Sequence, residues 1–314
     1  MTYKRKILAA MSLMVTISAT ALEKVTFAPQ WTAQAQFAGY FVAKEKGFYE
    51  QEGLDVNISY PTYSQSSISM LKNGDCQFTT AQLLDAIYTI DQGTEIVNIL
   101  QTSQQSGLVL VGYNGKNPEK MKKGAKVGIW NAGFSLLSIM MNQREKKEYQ
   151  FIRFTNNVSL FMSGALDATL AMSYNELLQL RQANVYLSGK TVYWFSEHGY
   201  DIPEDGLYVT RKYLQAHPVT CRKFARATQR GWQWCRQHPQ ETMEIVMEYI
   251  RKNNILTNKV IQRLMLNEVL RLNTNPKTGK PSFVLDRNIA DKAIDMLRKY
   301  NLIRHELNYK DITE

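Results

Sequence analysis

Three kinds of side chain in this sequence have the chemistry to hold a small molecule. Aromatic residues follow predicted strands, with Trp31 and Tyr40 after the first and Tyr174 after a later one, and such rings suit a flat apolar ring placed between them. Glu176 opens a predicted helix, where its carboxylate could accept hydrogen bonds from an exocyclic amine or pair with a protonated ring nitrogen. Short polar residues stand at the same kind of position: Thr79, Thr80 and Gln82 at one strand end, Ser173 and Asn175 at another, and Asn131-Ala132-Gly133-Phe134 at the opening of a helix. Each has a plainer role open to it. Tyr40 and Trp130 could fill a core, and Glu176 could be an acid that favours the positive end of its helix.

Covalent chemistry has no comparable support, and no catalytic residue is expected. The sequence holds no G-x-S-x-G elbow, no H-E-x-x-H, no C-x-x-C and no G-x-G-x-x-G, and Gly189-Lys190-Thr191 lacks the upstream glycine of a phosphate loop because Asn184 stands there. Glu204 and Asp205 are adjacent, but neighbours in an extended segment point to opposite sides and seldom act as an acid and base pair. His198, His217, His238 and His305 show no ligand spacing with one another or with Cys76, Cys221 and Cys235, so neither metal nor cofactor is expected. Cys221 and Cys235 fall in one predicted helix, about 21 Å apart along its axis, and cannot bridge each other.

The elements that must position these residues alternate short apolar strands with amphipathic helices, the pattern of α/β lobes with largely parallel sheets. Strands are predicted at 25–28, 54–60, 76–80 and 95–101, with helices at 35–46, 65–72 and 83–91 between them. A second unit begins near Leu108, with strands at 108–113, 126–130, 150–154, 168–172 and 192–195. Its helices fall at 134–144, 158–162 and 176–182. After a strand at 206–210 the chain is nearly all helix, broken at His238-Pro239. In open parallel sheets ligands bind at the carboxyl ends of strands, where helix amino termini present free N–H groups. Two lobes facing each other by such edges would form a cleft.

Composition sets the outer limits. A chain of 314 residues with 44% hydrophobic and 21% charged side chains has room for two such cores. The formal charge is +10, and three of the positives, Lys4, Arg5 and Lys6, precede an apolar run from Ile7 to Ile17 that ends in Ser18-Ala19-Thr20-Ala21. That is the layout of a cleavable export signal, so residues 1–21 are expected to be removed and the mature protein to act in the periplasm. The remaining 35 basic residues against 28 acids form no basic tract, and nucleic-acid binding is not expected.

One long run carries a family resemblance: Trp31-Thr32-Ala33-Gln34-Ala35-Gln36-Phe37-Ala38-Gly39-Tyr40-Phe41-Val42-Ala43-Lys44-Glu45-Lys46-Gly47-Phe48-Tyr49, continuing to Glu52-Gly53-Leu54-Asp55-Val56. Val127-Gly128-Ile129-Trp130, Ser163 to Ala168, Tyr174-Asn175-Glu176 and Asp205 to Thr210 support it, as does Gly231-Trp232. The chain resembles the NMT1/THI5-like branch of ABC-transporter substrate-binding proteins, which includes binders of thiamine pyrimidines and of alkanesulfonates. The resemblance implies a type II periplasmic-binding fold of two α/β lobes joined by two crossovers. Residues 22–107 would begin lobe 1, 108–205 would form lobe 2, and 206–314 would return to lobe 1 as helices. It also implies a small-molecule ligand in the cleft, closure of the lobes and docking on an inner-membrane ABC permease, with the protein a monomer.

In the pyrimidine binders of this family aromatic residues sandwich the ring and an acid reads its amino edge, which carries over to Trp31, Tyr40 and Glu176. Asn131, Gly133 and Phe134 fall in the helix-opening turn that lines the site, beside Thr80, Tyr174 and Asn175. The sulfonate binders use N–H groups and hydroxyls, a role open to Thr79, Thr80 and Ser173, and a sensory module that signals to a membrane partner would look the same in sequence. Departures from the family pattern are Leu177 in place of proline and a less glycine-rich turn at Asn131. The fungal pyrimidine-forming enzymes of the family use a Lys and a His where Ala81 and Asp85 stand here, together with a Cys-rich cluster absent from this chain, so that chemistry is expected to be missing.

Overall fold

The computed structural model describes residues 21–130, 135–153 and 158–314. The predicted export signal up to Thr20 and the turn from Asn131 to Phe134 lie outside them.

Ten strands are present among the described residues: β1 Glu23–Ala28, β2 Leu54–Ile58, β3 Phe78–Gln82, β4 Ile96–Gln101, β5 Leu108–Gly112, β6 Lys126–Ile129, β7 Gln150–Arg153, β8 Ala168–Met172, β9 Val192–Trp194 and β10 Asp205–Thr210. They form two five-stranded sheets, ordered β2-β1-β3-β10-β4 and β7-β6-β8-β5-β9. In each sheet the fourth strand is antiparallel to both neighbours, so the sheets are mixed. The reason is topological. β5 enters the second lobe from the first and β10 returns from the second, so each starts at the cleft where the other strands end. The two crossovers, 102–107 and 195–204, run side by side. They are stitched at Asp205, whose carbonyl accepts from the Thr102 and Ser103 N–H groups, and at Asp201, whose carboxylate accepts from Ser106 N–H.

Helices connect the strands. In the first lobe these are α1 Ala38–Glu45, α2 Phe48–Gln51, α3 Ser67–Asn73 and α4 Leu83–Asp91. In the second they are α5 Leu136–Glu145, α6 Ser159–Met162 and α7 Glu176–Gln182. The carboxy-terminal run comprises α8 Arg211–Ala216, α9 Pro218–Gln237, α10 Pro239–Lys252, α11 Lys259–Leu272, α12 Arg287–Lys299 and α13 Tyr309–Ile312. Pro239 starts α10 at the position where a helix tolerates proline, so α9 and α10 are separated at the break expected from His238-Pro239.

The core of the first lobe is built on α9. Phe224 stacks on Phe78 at 3.9 Å and on Tyr49 at 4.7 Å, and Trp232 lies edge-on to Tyr40. α9 crosses α1 at backbone contact: a Cβ on Gly231 would fall 2.0 Å from the Gly39 carbonyl oxygen, and one on Gly39 would fall 2.3 Å from the Trp232 ring. Only glycine fits at either position. Cys76, Cys221 and Cys235 are buried free thiols, each pushed up to about 12 mainly by that burial. No helix among the described residues is long and apolar enough to cross a membrane.

Candidate functional site

The strand ends of the two lobes meet in a buried hydrogen-bonded network. The loop after β1 supplies three amides. Gln30 donates its backbone N–H to Thr80 Oγ1 at 2.9 Å and its side-chain Nε2 to Asp205 Oδ1 at 2.9 Å. Gln36 Nε2 donates to Asp205 Oδ2 at 2.6 Å and also to the Tyr174 hydroxyl of the other lobe at 3.0 Å. Gln34 Nε2 in turn donates to Gln36 Oε1. Thr80, Gln36, Tyr174 and Asp205 are all buried.

Asp205 lies at the centre of this network, and among the described residues no cation pairs with it. Burial pushes its carboxyl up to about 6, and the two amide donors hold it down. The Tyr174 phenol is pushed well up, by burial first and then by the charges of Asp205, Glu204 and Glu176. As the sequence reading held, Glu204 points the other way from Asp205. Its carboxylate accepts from Ser106 Oγ at 2.6 Å and from Gly107 N–H, clipping one crossover to the other, and burial pushes it up to about 8.

The residues expected at the site separate into groups. Thr80 and Tyr174 belong to the network. Trp31 is half-buried, 6.0 Å from the Phe37 ring. Tyr40 is in the core: its ring stacks on Phe27 at 4.3 Å and only 1% of its surface is exposed. Its hydroxyl is buried with no hydrogen-bond partner among the described residues, and it is close enough to Asp205 for that charge to help raise its pKa.

Glu176 and Asn175 are engaged with their own backbone and with each other. Glu176 Oε2 accepts from Met172 N–H at 2.9 Å and Oε1 from Asn175 Nδ2 at 2.8 Å, so the carboxylate is folded under the end of β8. Asn131, Gly133 and Phe134 lie outside the described residues. They are flanked by half-buried Trp130 and by Ser135, which donates to the Trp130 carbonyl.

Gln30 and Gln36 carry no signal of their own in the sequence, and Asp205 enters the sequence reading only as one of two adjacent carboxylates set aside as an acid and base pair. A signal was available in the pattern of charge. The segments that follow β1, β2, β4 and β8, at 29–37, 59–66, 102–107 and 173–176, contain no Lys or Arg, nor does 199–205 ahead of β10, while Glu176, Asp201, Glu204 and Asp205 all fall within them.

With this geometry in place, comparison with known proteins is informative. The family described as NMT1/THI5 like matches residues 34–242, more than half of the chain. The chain belongs to that family. Two curated relatives of this NMT1/THI5-like protein are the riboflavin-binding protein RibY of Chloroflexus aurantiacus and the formylaminopyrimidine-binding protein of Halalkalibacterium halodurans. The first is 23% identical over 82% of this chain and 75% of its own length, the second 22% identical over 82% and 79%. Among solved structures, the periplasmic aliphatic sulphonate binding protein SsuA of Escherichia coli superposes with a TM-score of 0.62 over 93% of this chain and 92% of its own, at 12% identity. The NMT1/THI5-like chain therefore has the two-lobed periplasmic-binding-protein fold, and the two relatives and the structural neighbour named here are solute-binding proteins.

Proposed function

We propose that the protein is an exported solute-binding component of an ABC importer and that its cleft takes an amine-bearing heteroaromatic ligand, a thiamine-precursor pyrimidine. One observation carries this reading: Asp205 is a buried carboxylate held only by amide nitrogens, at the meeting point of the two lobes. A carboxylate so placed is under-compensated, and an aminopyrimidine supplies what it lacks. The exocyclic amine and an adjacent ring nitrogen, when protonated, form two parallel N–H···O bonds to it. Gln30 and Gln36 then turn to the ring's remaining polar atoms. Trp31 and Trp130, both half-buried, supply aromatic surface for the ring faces. Lobe closure follows because Asp205 and Tyr174 stand on opposite lobes, and a ligand touching both favours the closed arrangement.

The same charge pattern disfavours a sulfonate. An anion would meet Asp205 among segments that offer no Lys or Arg, a juxtaposition that costs binding energy. The acid that reads the amine is Asp205, because the oxygens of Glu176 are already occupied. The basic, apolar amino terminus fits export.

The deciding experiment is a thermal-shift and calorimetric panel on the mature chain with hydroxymethylpyrimidine, its formylamino analogue, thiamine, riboflavin and short alkanesulfonates. A pyrimidine present at one hundred times its Kd stabilises the folded state by about 2.7 kcal/mol. A shift with a pyrimidine that is lost in Asp205→Asn is the expected result. A response to sulfonates alone would overturn the ligand assignment.

A further inference from the structure

A second concavity lies outside the cleft. It is a groove of about 660 Å³, a size that suits a small organic ligand. One wall is α7 with Trp194 at the end of β9, the other is α11, and the crossover residues Gln105 and Ser106 close one end. The walls belong to different parts of the molecule: α7 is a helix of lobe 2, while α11 is tied to lobe 1 by Gln262, whose Oε1 accepts from Ala35 N–H at 2.8 Å.

The charges lining the groove are unequally committed. Glu268 on α11 accepts from Ser173 Oγ at 2.6 Å and from Arg271 Nε and Nη2, each at 2.8 Å, so acid and arginine satisfy each other. Arg181 on α7 makes no hydrogen bond or ion pair within 4 Å among the described residues, although its charge reaches Glu268 and helps hold that carboxyl down. Leu177 and Leu178 stand four and three residues before it, so its guanidinium shares their side of the helix. Across the groove Leu264 is a large apolar side chain left 44% exposed. The acid Glu197, on the exposed turn beyond Trp194, also lines the groove.

We infer that this groove is a second ligand site, which takes a small aromatic carboxylate. The carboxylate pairs with Arg181, the guanidinium whose fork matches its two oxygens, and the ring lies between Leu264 and Trp194. The site is opposite in charge preference to the cleft, where Asp205 awaits an amine, so the two accept different molecules.

The test is fluorine NMR of the mature chain with 4-fluorophenylacetate, using 4-fluorobenzylamine as the charge-reversed control, measured in the Asp205→Asn chain so that the cleft does not take it. Saturable binding of the acetate is expected, weakened at least tenfold in Arg181→Ala and in Leu264→Asp and unchanged in Asp205→Asn. Both groove substitutions fall at exposed helix positions, and circular dichroism verifies that the variants are folded. Failure of the acetate to bind, equal binding of the amine, or loss in Asp205→Asn with retention in Arg181→Ala would each overturn the inference. None of these outcomes depends on which solute the cleft prefers.

Discussion

Gln36 of the first lobe reaches Tyr174 of the second at 3.0 Å, and the same amide nitrogen is 2.6 Å from Asp205. One side chain thus touches both the partner lobe and the carboxylate proposed to hold the ligand. On the proposed reading, binding is coupled to closure through it, because whatever displaces Gln36 from Asp205 also alters its hold on Tyr174.

Asp205→Asn keeps the shape of the side chain, removes its charge and turns one of its two acceptor oxygens into a donor. A charge-assisted hydrogen bond is worth about 1.5–3 kcal/mol, so pyrimidine affinity should fall roughly 10- to 100-fold. Calorimetric titration of wild type and variant measures the difference. A variant that binds as tightly as wild type would remove Asp205 from the site.

Tyr174→Phe deletes the acceptor of the interlobe bond and leaves the ring. A single neutral hydrogen bond contributes about 1 kcal/mol net, so the ratio of closed to open form should fall about fivefold. Small-angle scattering, or a fluorophore pair placed one on each lobe, reports the change. An unchanged distance distribution would show that Gln36 and Tyr174 do not hold the lobes together.

Stability should fall as pH rises from about 4.5 to above 8. Glu204 and Asp205 are pushed up by burial to about 8 and about 6, above the usual carboxylate range. Folding therefore takes up protons, and the stabilisation is complete below the unfolded-state values and lost as pH rises through the folded ones. Urea titrations between pH 5 and 9 measure the slope. Glu204→Gln keeps the contacts of the neutral acid and should flatten the upper part of the curve.

Gly231→Ala should cost about 3 kcal/mol or more, since its Cβ would fall 2.0 Å from a backbone oxygen that no side-chain rotation can clear. Gly189→Ala, where a Cβ meets nothing within 4 Å, is the matched control and should change stability little. Equal urea midpoints for the two variants would contradict the packing of α1 on α9.

Much of this architecture was legible in the sequence because it is written locally. The predicted helices over 83–91 and 176–182 coincide with α4 and α7, each of which starts at the end of a strand with a run of apolar residues. Strand direction was not legible. β10 has the same apolar pattern as its neighbours, and it runs against them only because of where the chain comes from.

The site shows the same division. Thr80 and Tyr174 stood out because strand ends can be read from the pattern. Asp205 meets Gln36 across 169 positions of sequence, a pairing that no local pattern encodes. Glu176 had the right chemistry and position, but the nearest N–H groups of its own turn hold its oxygens.

The placement of β10 between β3 and β4 has a consequence for the order in which the molecule can be completed. All five strands of the second sheet, β5 through β9, are consecutive in the chain, so that lobe has its full set of strands once residue 194 has emerged during synthesis or export. The first sheet has a vacant place between β3 and β4 until residues 205–210 arrive. The amino-terminal half of the protein, although made first, must wait for the later half and is finished last.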